Sequence, residues 1–249
     1  MIIVKTKAEL SKMMAAARLA ALALEHIGKA VRAGISTLEL DSMIRRFITV
    51  RGGKPSFAGY KGFKGNACIS VNHELIHGIP SKRKILRDGD IVSVDIGAFV
   101  DGFHGDNTKT FAVGNVSEQA RDLLRVTEEC LYQGIKKAVA GNRVGDISDA
   151  IQKHCENSGY HIVKEYIGHG VGRTLHEEPD IPNFGKAGRG PRLVPGMTLA
   201  IEPMVNATTS NVRTLSDGWT VVEGNGNLCA HFEHTIAVTE GEPIIMTLV

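Results

Sequence analysis

The chain has no C-x-x-C pair; its four cysteines, Cys68, Cys130, Cys155 and Cys229, lie far apart in sequence. That spacing argues against a disulfide framework or a cysteine-rich zinc site, and points to buried thiols in a reducing compartment. Charge of one sign is equally scarce. Lys plus Arg number 29 against 27 Asp plus Glu, a net of 29 − 27 = +2. The one compact basic run, Lys82-Arg83-Lys84, has no aromatic interleaving, so a nucleic-acid footprint is not expected. No uncharged apolar stretch reaches the roughly 18 residues a membrane span requires. The apolar segment from Met13 to Leu24 is interrupted by Arg18 and is not framed as an export signal, so a cytoplasmic protein is expected. Thr6 and Glu9 form instead the T-x-x-E capping box of a helix expected to run to about Val31.

Two familiar motifs are also missing. "GHGVGRTLHEEP", Gly168 to Pro179, has the wrong glycine spacing for a dinucleotide loop and no Lys-Ser/Thr pair for a P-loop. His176-Glu177 could open an H-E-x-x-H helix, but Asp180 stands where the second histidine belongs, and Pro179 would break the helix. The stretch therefore reads as a flexible glycine loop presenting His169 and His176.

What the chain does contain is a repeat. A shift of 107 residues lays Ala33-Gly34 on Ala140-Gly141, Leu40 on Ile147, Ile44 on Ile151, Val94 on Ile201, and Asp95 on Glu202. An offset of 127 then lays Asp106 on Glu233 and Thr108 on Thr235. The apolar matches recur at helical spacing, so each half is expected to pack a helix by the same face. "DIVSVDIGAF", Asp101-Gly102 and "FHGDNTKTFAV" predict a two-residue hairpin. If Val100 pairs with Phe103, Asp95 faces Thr108 and Asp106 is its diagonal neighbour on the same sheet face.

One acid in a strand is ordinarily a solvent-facing residue. Four acids converging from both halves would repel and raise one another's pKa unless cations compensate. Two divalent ions balance four carboxylates, and oxygen-rich ligands with one imidazole suit Mn, Fe, Co or Zn. His77, His169 and His176 stand in Gly-rich or Pro-bounded segments, where functional residues concentrate.

In order along the chain, "HGIP", "GDIVSVDIGAFVDGFHGDNTKTFAVG", "GHGVGRTLHEEP", "GMTLAIEP", "DGWTVV" and "FEHTIAVTEG" resemble the methionine aminopeptidases of the short bacterial type I class. The resemblance covers nearly the whole chain. It implies an α/β (α+β) pita-bread fold, a single catalytic domain over residues 1–249 whose pseudo-symmetric halves, roughly 1–115 and 116–249, form a curved, mainly antiparallel sheet covered by helices. It also implies metal ligands Asp95, Asp106, His169, Glu202 and Glu233, with Asp106 and Glu233 bridging two divalent ions. By the same resemblance His77 and His176 flank the substrate, Glu202 shuttles a proton, and Tyr60, Phe63, Cys68, His77 and Trp219 line a methionine pocket. The implied substrate is the N-terminal Met of nascent polypeptides, handled by a monomer that meets the ribosome transiently. Three departures bear on the pocket: Leu175 before His176, Phe57, and the string "NHELIHGIP". A proline-directed peptidase of the same fold and a non-catalytic binding protein of that fold are the alternatives.

Overall fold

The computed structural model describes residues 1–249. Four helices form where capping and periodicity agree: α1 (Lys7–Gly28), α2 (Thr37–Thr49), α3 (Glu118–Ile135) and α4 (Val144–Asn157). Thr6 with Glu9 and Ser36 with Glu39 close reciprocal capping boxes on α1 and α2, satisfying amides that the first helical turn leaves free. α1 stops at Gly28, short of the expected Val31. Ala30 and Val31 both donate back to the Ile27 carbonyl in a tight turn, and a side chain at Gly28 would strike the Phe111 ring, with Cβ only 2.6 Å from Cε1.

The helices cover a nine-stranded sheet: β1 (Lys54–Pro55), β2 (Cys68–Val71), β3 (Ile91–Val100), β4 (Phe103–Ala112), β5 (Gly168–Gly170), β6 (Glu177–Ile181), β7 (Thr198–Ile201), β8 (Glu233–Ala237) and β9 (Ile244–Ile245). Its order is β1-β3-β4-β8-β7-β5-β6, with β2 added beside β3 and β9 beside β8. All these pairings are antiparallel. Two three-stranded sheets flank it. Met204–Asn206 lies between Cys229–His231 and His161–Ile162, and Val221–Glu223 lies between Val212–Thr214 and Glu74–Ile76.

The β3–β4 hairpin has the predicted register, Val100 with Phe103 and Asp95 with Thr108. Asp101 and Gly102 take φ of 50° and 85°, the pair of positive values that a right-twisting two-residue turn demands. Gly105 fixes which face is which: a Cβ there would lie 2.3 Å from Cα of Ala17, so this residue presses on α1. By alternation Asn107, Lys109 and Phe111 share the helix side, while Asp106 and Thr108 face the other way.

The core has two main parts. One packs Leu24 of α1 and Leu40, Ile44 and Ile48 of α2 against Val92, Val94 and Ile96 of β3. The other packs Leu123 and Leu131 of α3 and Ile147 and Ile151 of α4 against Leu199 and Ile236. Each such side chain contributes roughly 1.5–3 kcal/mol by leaving water. The faces buried on α2 and α4 are those the repeat matched. The second half departs from the repeat in one respect. The offsets would put Thr235 opposite Glu202, but the β7–β8 ladder sets Thr235 against Ala200 and ends with His234 against Ile201. A slip of two residues preserves the faces, since side chains alternate with period two. No helix is long and apolar enough to cross a membrane.

Candidate metal centre

Strand order brings the expected ligands into one row. Thr108 is the cross-strand partner of Asp95 on one side and of Glu233 on the other. Asp106 stands two residues before Thr108 on the same face. Glu202 and Glu233 leave the β7–β8 ladder together at its end, and His169 sits across from Ala200 on the next strand. Asp95, Asp106, Glu233, Glu202 and His169 thus project from β3, β4, β8, the end of β7, and β5, which are consecutive in the sheet.

The distances close the group. Ligand atoms of Asp106, His169 and Glu233 all lie within 4.8 Å of one another. Glu202 Oε1 is 3.4 Å from Nε2 of His169. Gly170 O lies 2.8 Å from Nδ1 of His169 and accepts its proton, which leaves the Nε2 lone pair free for a metal.

The glycines around His169 do something other than expected. They make it a sheet residue, not the tip of a flexible loop. A Cβ on Gly168 would lie 2.4 Å from the Ala200 carbonyl oxygen, and one on Gly170 2.4 Å from that of Glu178. Only bare backbone lets β5 approach both neighbours this closely.

Burial dominates the electrostatics. It pushes the Asp95, Glu202 and Glu233 carboxyls well above the usual carboxylate range, and neighbouring acid charges push in the same direction. Asp106 is raised to about 7, again mainly by burial. His169 is lowered to about 3 by burial, with His176 adding to the effect. Oδ1 of Asp95, Oδ1 of Asp106 and Oε1 of Glu233 are buried without any hydrogen-bond partner. Orphaned acceptors of this kind are rare in native interiors. Acceptor oxygens converging beside one imidazole lone pair fit a hard or borderline divalent ion.

The acids close one end of a cavity of about 220 Å³. Every residue expected to line the pocket is there: Tyr60, Phe63, Cys68, His77 and Trp219, together with His169 and His176. Phe57 and Leu175 join them, packed with Phe63 and Cys68 in one buried cluster. His77 holds a left-handed backbone, φ 58°, and meets the rings of Tyr166 and Trp219 edge-on. Burial, then His176, lowers its pKa to about 4. The His176 ring lies 4.1 Å from that of His169, and its Nδ1 is 2.9 Å from the Tyr60 hydroxyl. Burial, then the Lys61 charge, lowers the His176 pKa.

Sequence reasoning missed His231. Its Nε2 lies 3.3 Å from Oε2 of Glu202, and the residue is 2% exposed. His231 stands two positions before Glu233, but Phe232 interrupts the strand between them, so alternation does not flag it. Tyr166 and Ile167 also line the cavity and carried no signal.

A buried carboxylate and imidazole cluster at the end of a largely apolar cavity, on a sheet built from two related halves, defines a metal-dependent hydrolase of the pita-bread type. The chain belongs to metallopeptidase family M24, whose model matches residues 11–240. It is 55% identical to methionine aminopeptidase 1 of Bacillus subtilis over the full length of both chains. It is 48% identical to the methionine aminopeptidase of Clostridium acetobutylicum, covering 100% of this chain and 99% of that one. Among solved structures, the methionine aminopeptidase of Thermotoga maritima superposes with a TM-score of 0.98 at 44% identity, with both chains fully covered. The prolidase of Pyrococcus furiosus shares the fold, with a TM-score of 0.80 at 23% identity, but this chain covers only 66% of it. The family and the buried cluster together support divalent metal binding.

Proposed function

We propose that the chain is a methionyl aminopeptidase, removing the N-terminal methionine from peptides and newly made proteins by metal-assisted hydrolysis. The observation that carries this reading is the five-residue row of Asp95, Asp106, Glu233, Glu202 and His169 at the end of an apolar cavity sized for one side chain. Full-length similarity to methionine aminopeptidases supports the same reading.

Asp95, Asp106, His169, Glu202 and Glu233 would hold divalent metal, two ions drawn from Mn, Fe, Co or Zn. When bound, such ions lower the pKa of water toward neutrality and polarise a carbonyl oxygen. The chain's own groups do the rest. Phe57, Phe63, Cys68 and Leu175 present an apolar wall that suits an unbranched thioether. Asp95, at the inner end, accepts the substrate's free α-amine, which restricts cleavage to the first residue. Glu202 takes a proton from the attacking water and returns it to the leaving amine. With Nδ1 of His176 accepting from Tyr60, its Nε2–H donates to the developing oxyanion. His77 contacts the peptide backbone beyond the scissile bond.

The test adds Mn or Co to metal-free protein and compares Met-Gly-type peptides with Xaa-Pro peptides. Cleavage after methionine is expected. Cleavage only of Xaa-Pro bonds would assign a proline-directed peptidase, and no cleavage with any divalent ion would assign a binding protein.

A further inference from the structure

Gly168 and Gly170 are bare because carbonyls press on them, whereas Gly172, the third glycine of "GHGVGRTLHEEP", meets side chains. A Cβ there would lie 2.6 Å from Cε of Lys5 and 2.6 Å from Oε1 of Glu177. Glycine at this position leaves room for an ion pair. Lys5 Nζ donates to Oε2 of Glu177 at 2.5 Å, and the two side chains are 2% and 3% exposed.

A pair buried this deeply is weak evidence for stability. Desolvating two ions cancels much of what their attraction returns, and an apolar pair of similar size would fill the space as well. What the charges add is direction. Lys5 Nζ also donates to the Ile3 carbonyl at 3.1 Å, and the Lys5 amide donates to the Gly196 carbonyl at 2.8 Å. Oε1 of Glu177 accepts from the Thr174 amide at 3.2 Å. The N-terminal segment thus holds one carboxylate oxygen, and the turn before β6 holds the other.

Glu177 directly follows His176. His176 lines the methionine cavity and Glu177 does not, so the ion pair anchors the chain from outside the cavity. The His176 carbonyl accepts from Thr174 Oγ1 at 3.0 Å, which ties it to the same turn. Arg173, Thr174 and His176 are exposed, leaving Leu175 as the one buried residue of 173–176. Residues 1–9 grip this turn twice more, through Glu9 with Arg173 at 3.0 Å and the Met1 amine with Glu178. Those two contacts are largely exposed, where ion pairs contribute little. The Lys5–Glu177 contact is the buried one.

We propose that Lys5 is a positioning residue for His176: through Glu177 it sets where the imidazole stands when it donates to the oxyanion. The inference rests on the methionyl aminopeptidase reading and adds to it a role for the N-terminal segment. A donor misplaced by about 1 Å forfeits much of its effect on rate, so an anchor one residue away acts on turnover without touching substrate.

The test is a double-mutant cycle on the full-length, metal-loaded chain with a Met-Gly peptide. Lys5→Met should lower kcat about tenfold with KM unchanged, because only a transition-state contact is disturbed. In a His176→Ala background the same change should cost nothing further, since residues acting as a unit do not add. Lys5→Met combined with Glu177→Met should recover the melting temperature, an apolar pair replacing an ionic one, but not kcat. Independently of activity, the imidazole ¹⁵N signals of His176 in the metal-free chain should shift in Lys5→Met, and in the double variant if Lys5→Met does not fold, while those of distant His154 stay. An equal loss with and without His176 would overturn the proposal, as would kcat recovering in the double variant or unshifted His176 signals in a folded variant. An inactive parent chain would refute the peptidase reading alone, and the His176 signals would then decide the positioning role.

Discussion

Thr108 Oγ1 donates a 2.8 Å hydrogen bond to Oε2 of Glu233 on the adjacent strand. Thr108 also stands opposite Asp95, so one hydroxyl sits between acids contributed by the two halves of the chain. A residue holding a ligand carboxylate in this way sets its orientation and affinity. Thr108→Val keeps the shape and removes the donor. Divalent-metal affinity, measured by competition with a chromophoric chelator, should fall roughly 10- to 100-fold. An unchanged affinity would remove Thr108 from the site.

His231 Nε2 stands 3.3 Å from Oε2 of Glu202, a close contact without hydrogen-bond geometry. If the imidazole orients the carboxylate, His231→Ala should weaken metal binding by about tenfold or more. His231→Gln, which keeps a side-chain donor, should recover most of the loss. Equal loss in both variants would reduce His231 to packing.

Metal loading should release protons. Burial raises the carboxyls of Asp95, Asp106, Glu202 and Glu233 above the usual carboxylate range, Asp106 to about 7, so Asp106 holds a proton for part of the time near neutrality in the metal-free chain. His169, lowered to about 3, is already neutral in that range and has no proton to give. The sign follows: apparent affinity rises with pH, by about tenfold per pH unit for each proton displaced below the relevant pKa. Calorimetry at pH 6 and 8, in buffers of different ionisation enthalpy, counts the protons. Binding independent of pH would contradict the burial of these acids.

How much of this was legible in the sequence depends on how local the cause is. The β3–β4 register follows from Asp101-Gly102 and the alternation on either side, all within the 22 residues from Ile91 to Ala112, and it was readable. The matched helix faces and the four acids were readable because both halves repeat them. His169 lies beside the acids, but on a strand and not on the expected flexible loop. Gly168 and Gly170 are needed because the Ala200 and Glu178 carbonyls press on them, and those contacts are set by the tertiary structure. The two-residue slip of β7 against β8 is likewise a long-range outcome. His231 was hidden because Phe232 breaks the strand between it and Glu233, which interrupts the alternation that would have flagged it.

Leu175, a departure in the sequence, becomes part of the cavity wall, 3% exposed and packed with Phe57, Phe63 and Cys68. Leu175→Ala should cost about 2 kcal/mol of stability, the low end for such truncations, because the side chain borders an existing cavity and leaves a smaller new void than in a closed core. The larger effect should be on selectivity. Apolar contacts of about this size are worth roughly 1–3 kcal/mol in discriminating substrates. The ratio of kcat/KM for Met-Gly over Phe-Gly peptides should therefore fall by about tenfold, while metal affinity stays unchanged because Leu175 bears no ligand. A preserved ratio would show that the wall limiting the substrate side chain is formed elsewhere, with Phe57 the next residue to replace.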